Sequence, residues 1–146
     1  MTDSIRTQIA EKLVTVLSAI TDIKSVAYDN IKMMASDFQD WEIPAIQIID
    51  LGDDNQHEQR RARKTWNFTL ELVMGNKTTG IISQKDLWNL LQKIEIALFQ
   101  TPNLGIAGII HMILLGSTTD LHMLMPFYTA RLDMQILYYQ PLVDIC

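Results

Sequence analysis

Residues 83–108, SQKDLWNLLQKIEIALFQTPNLGIAG, decide the fold. Leu87, Leu90, Leu91, Ile94, Ala97 and Leu98 recur at steps of three and four, the period of one helix face. Ser83 with Asp86 three residues on resembles a capping box, with Asp standing where Glu is usual. Pro102 and Gly105 end the helix. An apolar strand follows, from Ile109 to Leu115. An amphipathic helix that hands over to a strand needs a sheet to lie on, so further strands are expected on either side.

They are present. Trp66, Phe68, Leu70, Leu72 and Met74 alternate with Asn67, Thr69, Glu71 and Val73, the period of two that marks a strand. One face is apolar and the other mostly polar, as in a sheet with helices on one side. Ala130, Leu132, Met134, Ile136 and Tyr138 alternate with Arg131, Asp133 and Gln135 in the same way, and Pro141 stops that strand. Residues 44–51 read as a strand with Pro44 at its first position, where a missing N–H costs least. Gly52 to Gln59 is polar and reads as a turn or hairpin tip. Ser25 to Tyr28 is a short strand, and Asp29 to Ile43, without a period, is a loop, as is Gly75 to Gly80. At the N-terminus Ile5, Ile9, Leu13, Val16, Leu17 and Ile20 make one helical stripe, with Asp3 or Ser4 as the candidate cap and an end near Thr21–Asp22. Strands 44–51 and 65–74 should form one antiparallel hairpin, and 109–115 and 128–139 another. The expected fold is α+β: a two-layer sandwich with a mainly antiparallel sheet of about four strands and two helices packed on one face.

The 146 residues suit a single domain, 1–146, and 48% are hydrophobic, enough for a sizeable core. A formal charge of −5 argues against general binding to nucleic acid, which needs many phosphate-neutralising cations. The single cysteine, Cys146, makes no internal disulfide. The segment MTDSIRTQIAEK lacks the apolar core of a signal peptide, and the apolar stretch Ile106–Leu115 is too short to span a bilayer. Synthesis in the cytoplasm and no membrane association are expected.

No catalytic signature is present, and no cofactor or metal is expected. The nearest histidines, His111 and His122, are eleven residues apart on different predicted elements, unlike the short spacings of zinc ligands. Structural or surface roles suit them and His57. Cys146 lacks the local signature of a nucleophile. GNKTTG lacks the spacing and the closing Gly-Lys-Ser/Thr of a phosphate loop. Asp50, Asp53, Asp54 and Glu58 cluster at one turn. They read as a solvated turn, or, with Glu71, as carboxylates able to hold a divalent cation.

The densest charge feature is Arg60, Arg61, Arg63 and Lys64, four positive charges within five residues, preceded by the acidic run Asp53 to Glu58. The run is a solvated strand start, a docking surface for an acidic partner or a neighbouring subunit, or a small DNA-binding patch. Arginine forks onto carboxylates, which suits a protein interface. Acids before the tip and bases after it allow head-to-tail pairing of identical subunits. Trp66 and Trp88 are expected in the core and Trp41 in a loop. His122, Met123 and Met125 lie in an apolar hairpin connection of the kind that marks contact surfaces. The candidate interface residues are therefore Asp53, Asp54, Glu58, Arg60, Arg61, Arg63, Lys64, His122, Met123 and Met125.

Taken together, the layout resembles the tail terminator, or tail-completion, proteins of long-tailed bacteriophages. The likeness is carried by the helix of Ile5, Ile9, Leu13 and Leu17, the strand start Pro44-Ala45-Ile46, and the charged hairpin through Arg63 into Trp66–Met74. It continues through the helix of Leu87, Leu91, Ile94 and Leu98, the turn Pro102-Asn103-Leu104-Gly105, and the strand Ala130–Tyr138. One departure is that Ile106-Ala107 follows Leu104-Gly105 where a further glycine is expected; Gly108 comes later. The resemblance implies a structural virion protein, not an enzyme, at the head-proximal end of the tail. It would form a ring, a hexamer in the family, on the tail tube, stop tube growth and present a surface to the head–tail connector. The partners implied are the chain itself, the tail tube protein and the connector protein, with DNA only as transient cargo through the lumen. A net acidic wall suits that passage, since a cationic lumen would retain phosphates. The alternatives are a neck or head-closure protein, a small metal-dependent nuclease using Asp50, Asp53 and Glu71, and an ordinary dimeric domain.

Overall fold

The computed structural model describes residues 4–29, 31–32, 38–39, 42–75, 84–100, 102–124 and 127–142. Among these residues the chain forms helix α1 (Ile5–Ser18), the short strand β1 (Ser25–Ala27), and long strands β2 (Ala45–Glu58) and β3 (Arg61–Gly75). Helix α2 (Gln84–Gln100), a 3₁₀ turn (Pro102–Gly105), β4 (Ile109–Leu124) and β5 (Phe127–Pro141) follow. The strands make one sheet in the order β1-β2-β3-β5-β4.

The α+β class and both antiparallel hairpins hold, but the sheet has five strands, not about four, and is mixed. β1 pairs with β2 in parallel, Ser25 opposite Ala45. The hairpins are also longer than their apolar alternation. β2 runs on through the polar run 52–58, and β4 runs through Thr118 to Leu124. Pairing causes this extension. Each polar residue of β2 beyond Gly52 has a partner on β3, from Asp53 opposite Trp66 to Glu58 opposite Arg61, so backbone hydrogen bonds extend the strands where side-chain burial does not. At about 3.3 Å per residue, strands of this length reach roughly 45–50 Å.

The core lies on one face. Trp66, Phe68, Leu70, Leu72 and Met74 of β3 and Ala130, Leu132, Met134, Ile136 and Tyr138 of β5 share it. Over them lie Ile9, Leu13 and Leu17 of α1 and Leu87, Leu90, Ile94 and Leu98 of α2. Ser4 caps α1, its Oγ accepting from the Thr7 N–H at 3.1 Å. Leu91, expected in the buried stripe of α2, is only half-buried at its margin. Ser83 lies outside the described residues, as do Asp3 and the loop 76–80.

The opposite face carries a polar ladder. Thr69 Oγ1 bonds Asp133 Oδ1 at 2.9 Å, and Gln135 Nε2 donates to Asn67 Oδ1 at 3.0 Å. Arg131 reaches Glu71 at 3.4 Å. Each is a directly opposed cross-strand pair. Among the described residues, the end of this face at Ala45 and Val73 is covered. There Phe38 and Ile43, from the stretch expected as plain loop, pack on Ala45 and Val73, and the Gln47 side chain bonds the backbone of Lys32. Gly108, the displaced glycine, has φ +96°. A Cβ there would stand 3.4 Å from the Tyr139 carbonyl oxygen. The Gly108 carbonyl accepts from the Tyr139 N–H at 3.0 Å, so this residue docks the start of β4 on β5.

Candidate functional site

The halves of β2 and β3 nearest their turn form an arm whose outer strand, β2, is exposed along most of its length beyond Asp50, while β3 stays paired to β5 as far as Arg61 opposite Pro141. A charged cluster fixes its base. Arg6 of α1 pairs with Asp53 and, at 3.5 Å, with Asp50, and its guanidinium stands 5.5 Å from the centre of the Trp66 ring. The Trp66 indole N–H donates to Asp50 Oδ1 at 2.9 Å, and the Gly52 N–H to the same oxygen at 2.7 Å. Lys64 approaches Asp53 at 3.6 Å. Burial pushes the Asp50 carboxyl up, but the Gly52 and Trp66 donors and the Arg6 charge outweigh it and hold the group below its ordinary value. Burial also raises the phenol of Tyr138, which adjoins Arg6. A bulge between Asp50 and Asp53 makes this possible. It turns Asp53 to the helix side of the sheet, opposite Trp66, and leaves Asp54 to the open side, opposite Thr65.

The ten residues singled out for an interface are thus divided. Asp53 and Lys64 are spent within the molecule, on α1 and on each other. Asp54, Arg60 and Arg63 are exposed on the arm. Arg61 bonds Glu58 at 3.0 Å and lies over the Tyr139 ring, 3.9 Å from its centre. The tip borders an open groove of about 710 Å³, lined by Arg60, Arg61, Tyr139, Pro141, Ile5 and Ala107, among others. It is the junction of the arm, the α1 start and the approach to β4. His122 and Met123 fall within β4, not in a loop connection. Met125, Trp41 and Cys146 lie outside the described residues.

The structure exposes apolar residues that sequence reasoning missed. Trp66 is in the core, but Trp88, expected there, is 56% exposed on α2, with Ile96 and Phe99 also exposed. At about 100° per residue these three fall in one arc, well away from the core stripe of Leu87, Ile94 and Leu98. The sequence signal was available: 88, 96 and 99 are a second helical series beside the first. Leu51 on β2 and Leu115 on β4 are exposed as well.

The carboxylates named for a nuclease do not converge. Asp50 and Asp53 turn to Arg6 on the helix side, while Glu71 faces the other way, toward Gln47 and Arg131. Among the described residues no three His, Cys, Asp or Glu side chains are grouped to hold a metal ion. No described helix is long and apolar enough to cross a membrane.

No protein-family profile and no curated protein matches this chain. A solved structure is similar to it: a chain of the virion of a native gene transfer agent particle, with a TM-score of 0.56 at 8% identity. The likeness covers 94% of this chain and 96% of that one, so the two share a fold almost end to end.

Proposed function

We propose that this chain is a structural protein of a phage-type virion that forms a ring on the end of the tail tube. There it stops tube growth and offers the surface to which the head joins. The observation that carries this reading is the fold likeness, over nearly both whole chains, to a component of a virion particle. The chain's own surface supports it. A ring needs two unlike patches on each subunit, related by a rotation that closes. The exposed arm with Asp54, Arg60 and Arg63 and the apolar outer face of α2 are two such patches on different elements. The net charge of −5 suits a channel through which DNA passes without being held. The position would be the head-proximal end of the tail, with the tube protein on one side and the connector on the other, and the family's ring number is six.

Electron microscopy of particles made without this protein tests the role. Overlong tubes without heads are expected. Normal particles would overturn it, and full-length tails beside leaking heads would point to head closure instead. In the purified protein, reversing Arg60 and Arg61 to Glu should abolish rings seen by light scattering. The melting temperature should stay nearly unchanged, because both side chains are solvent-exposed.

A further inference from the structure

Among the described residues both outer edges of the sheet are unpaired over long stretches. β1 covers β2 only at Ala45–Gln47, and β4 pairs only with β5. Neither residues 48–58 nor 109–124 contain a lysine or proline, the residues that commonly keep sheet edges apart. β2 carries one bulge, at the Leu51-Gly52 step between Asp50 and Asp53; β4 carries three register shifts, of which the middle one is at the Leu115-Gly116 step, between Leu114 and Gly116. The two leucines are the most exposed large apolar residues described, at 60% and 58%. A Cβ built on either glycine would meet nothing within 4 Å, so no described residue packs on the sheet surface at either step.

The two steps leave one row of the sheet in opposite directions. Asp50 is opposite Phe68, Phe68 opposite Met134, and Met134 opposite Leu114, so the residues just before the two bulges share one row across the sheet. β2 and β4 run in opposite senses, because β3 and β5 between them alternate. A rotation about an axis along the strands, with no rise, keeps each strand's sense and height. It would bring the β2 edge of one copy beside the β4 edge of the next as antiparallel strands, with Asp50 beside Leu114, Leu51 beside Ile113 and Leu115 beside Ile49.

We infer that these edges are the seam between copies: β4 of one subunit, at Ile113–Leu115, pairs with β2 of a second subunit at Ile49–Leu51, and the sheet continues from subunit to subunit. The inference rests on the ring reading and names its joint. The occupant is a second copy, not an unrelated strand, because this chain carries both halves of the joint at one height. Unlike edges meet, so the contact is heterologous and propagates until it closes.

Single-cysteine variants Leu51→Cys and Leu115→Cys, each with Cys146→Ser, test the seam. They are treated with a short bis-maleimide whose reach spans diagonal neighbours about two residues apart in register. Both sites are exposed, so native melting temperatures are expected. The mixture of the two variants should give a covalent dimer, and neither variant alone should. The double variant should give a ladder that stops at the ring number. Cross-linking of either variant with itself, or no product from the mixture, would overturn the seam. Sedimentation of the same samples separates the two ideas. Rings without the mixed product leave the tail-end role standing. The mixed product in a protein whose loss leaves particles normal supports the seam and removes the role.

Discussion

On β3, Trp66, Phe68, Leu70 and Leu72 point into the helix layer, while their neighbours Thr65, Asn67, Thr69 and Glu71 point the other way. The first set is closed off by α1 and α2, and each fully buried large side chain contributes about 1.5–3 kcal/mol. Of the second set, Asn67, Thr69 and Glu71 meet β5 through hydrogen bonds worth about 0.5–1.5 kcal/mol each. The helix face therefore supplies most of the stability. The open face fixes which residue stands opposite which, and so where the bulges and edges fall. Among the described residues, a sheet built this way leaves the part of its polar face beyond Phe38 and Ile43, its arm and most of its edges open to other surfaces.

The largest effect should come from breaking the covered face. Ile94 is fully buried between α2 and the sheet. Ile94→Asp strands a charge there at a cost of several kcal/mol, against a total stability of about 5–15 kcal/mol, and should leave the domain unfolded by circular dichroism. Leu91→Asp should be milder, because Leu91 is half-buried and its carboxylate can reach water. A melting temperature for Leu91→Asp as low as that for Ile94→Asp would contradict the helix-face assignment.

The open face should break more gently. Thr69→Val removes the partner of Asp133 Oδ1 and should cost about 1 kcal/mol in a urea titration. Thr69→Val with Asp133→Val, which removes both polar groups, should recover most of that loss. Arg131→Ala, at an exposed pair with Glu71, should change stability by less than about 0.5 kcal/mol. A loss for Arg131→Ala larger than for Thr69→Val would mean that the charged rung, not the buried one, holds the ladder.

The covered face was the legible one. Alternation in Trp66–Met74 and Ala130–Tyr138, and the three-four spacing in both helices, are direct traces of burial in sequence. What burial does not dictate could not be seen in the same way. DDNQHE is a strand because RARKTW, residues 61–66, lies opposite it, a fact about pairing and not about polarity. Asp53 belongs to Arg6, 47 residues away, because a bulge flips its side. Trp88, expected in the core with Trp66, is exposed, because its position in the helix sets it apart from Leu87 and Ile94. Of the candidate interface, the charge run located the exposed arm, but it gave no means to separate Arg60 and Arg63 from Lys64.

Acid titration compares the two faces through one carboxylate on each. Glu42 belongs to the segment over the open face. The Lys32 ammonium at 2.7 Å, with the Gln39 N–H, holds it below its ordinary 4.5. Asp50 belongs to the helix-side clamp at the base of the arm and is held below its ordinary 3.8. A carboxyl whose value is lowered by folding binds fewer protons in the folded state than in the unfolded one. Its contribution is complete above the unfolded value and disappears as pH falls through the folded value. The urea midpoint should therefore be flat from pH 7 to about 5 and decline below 4.5. Glu42→Gln should remove the upper part of that decline, and Asp50→Asn the lower. The Asp50 share should be the smaller one, because its side chain is 55% exposed and water screens the Arg6 charge. If Asp50→Asn instead removes most of the acid sensitivity, the clamp under the arm outweighs the cover on the open face, and the ranking of the two faces reverses at this end of the molecule.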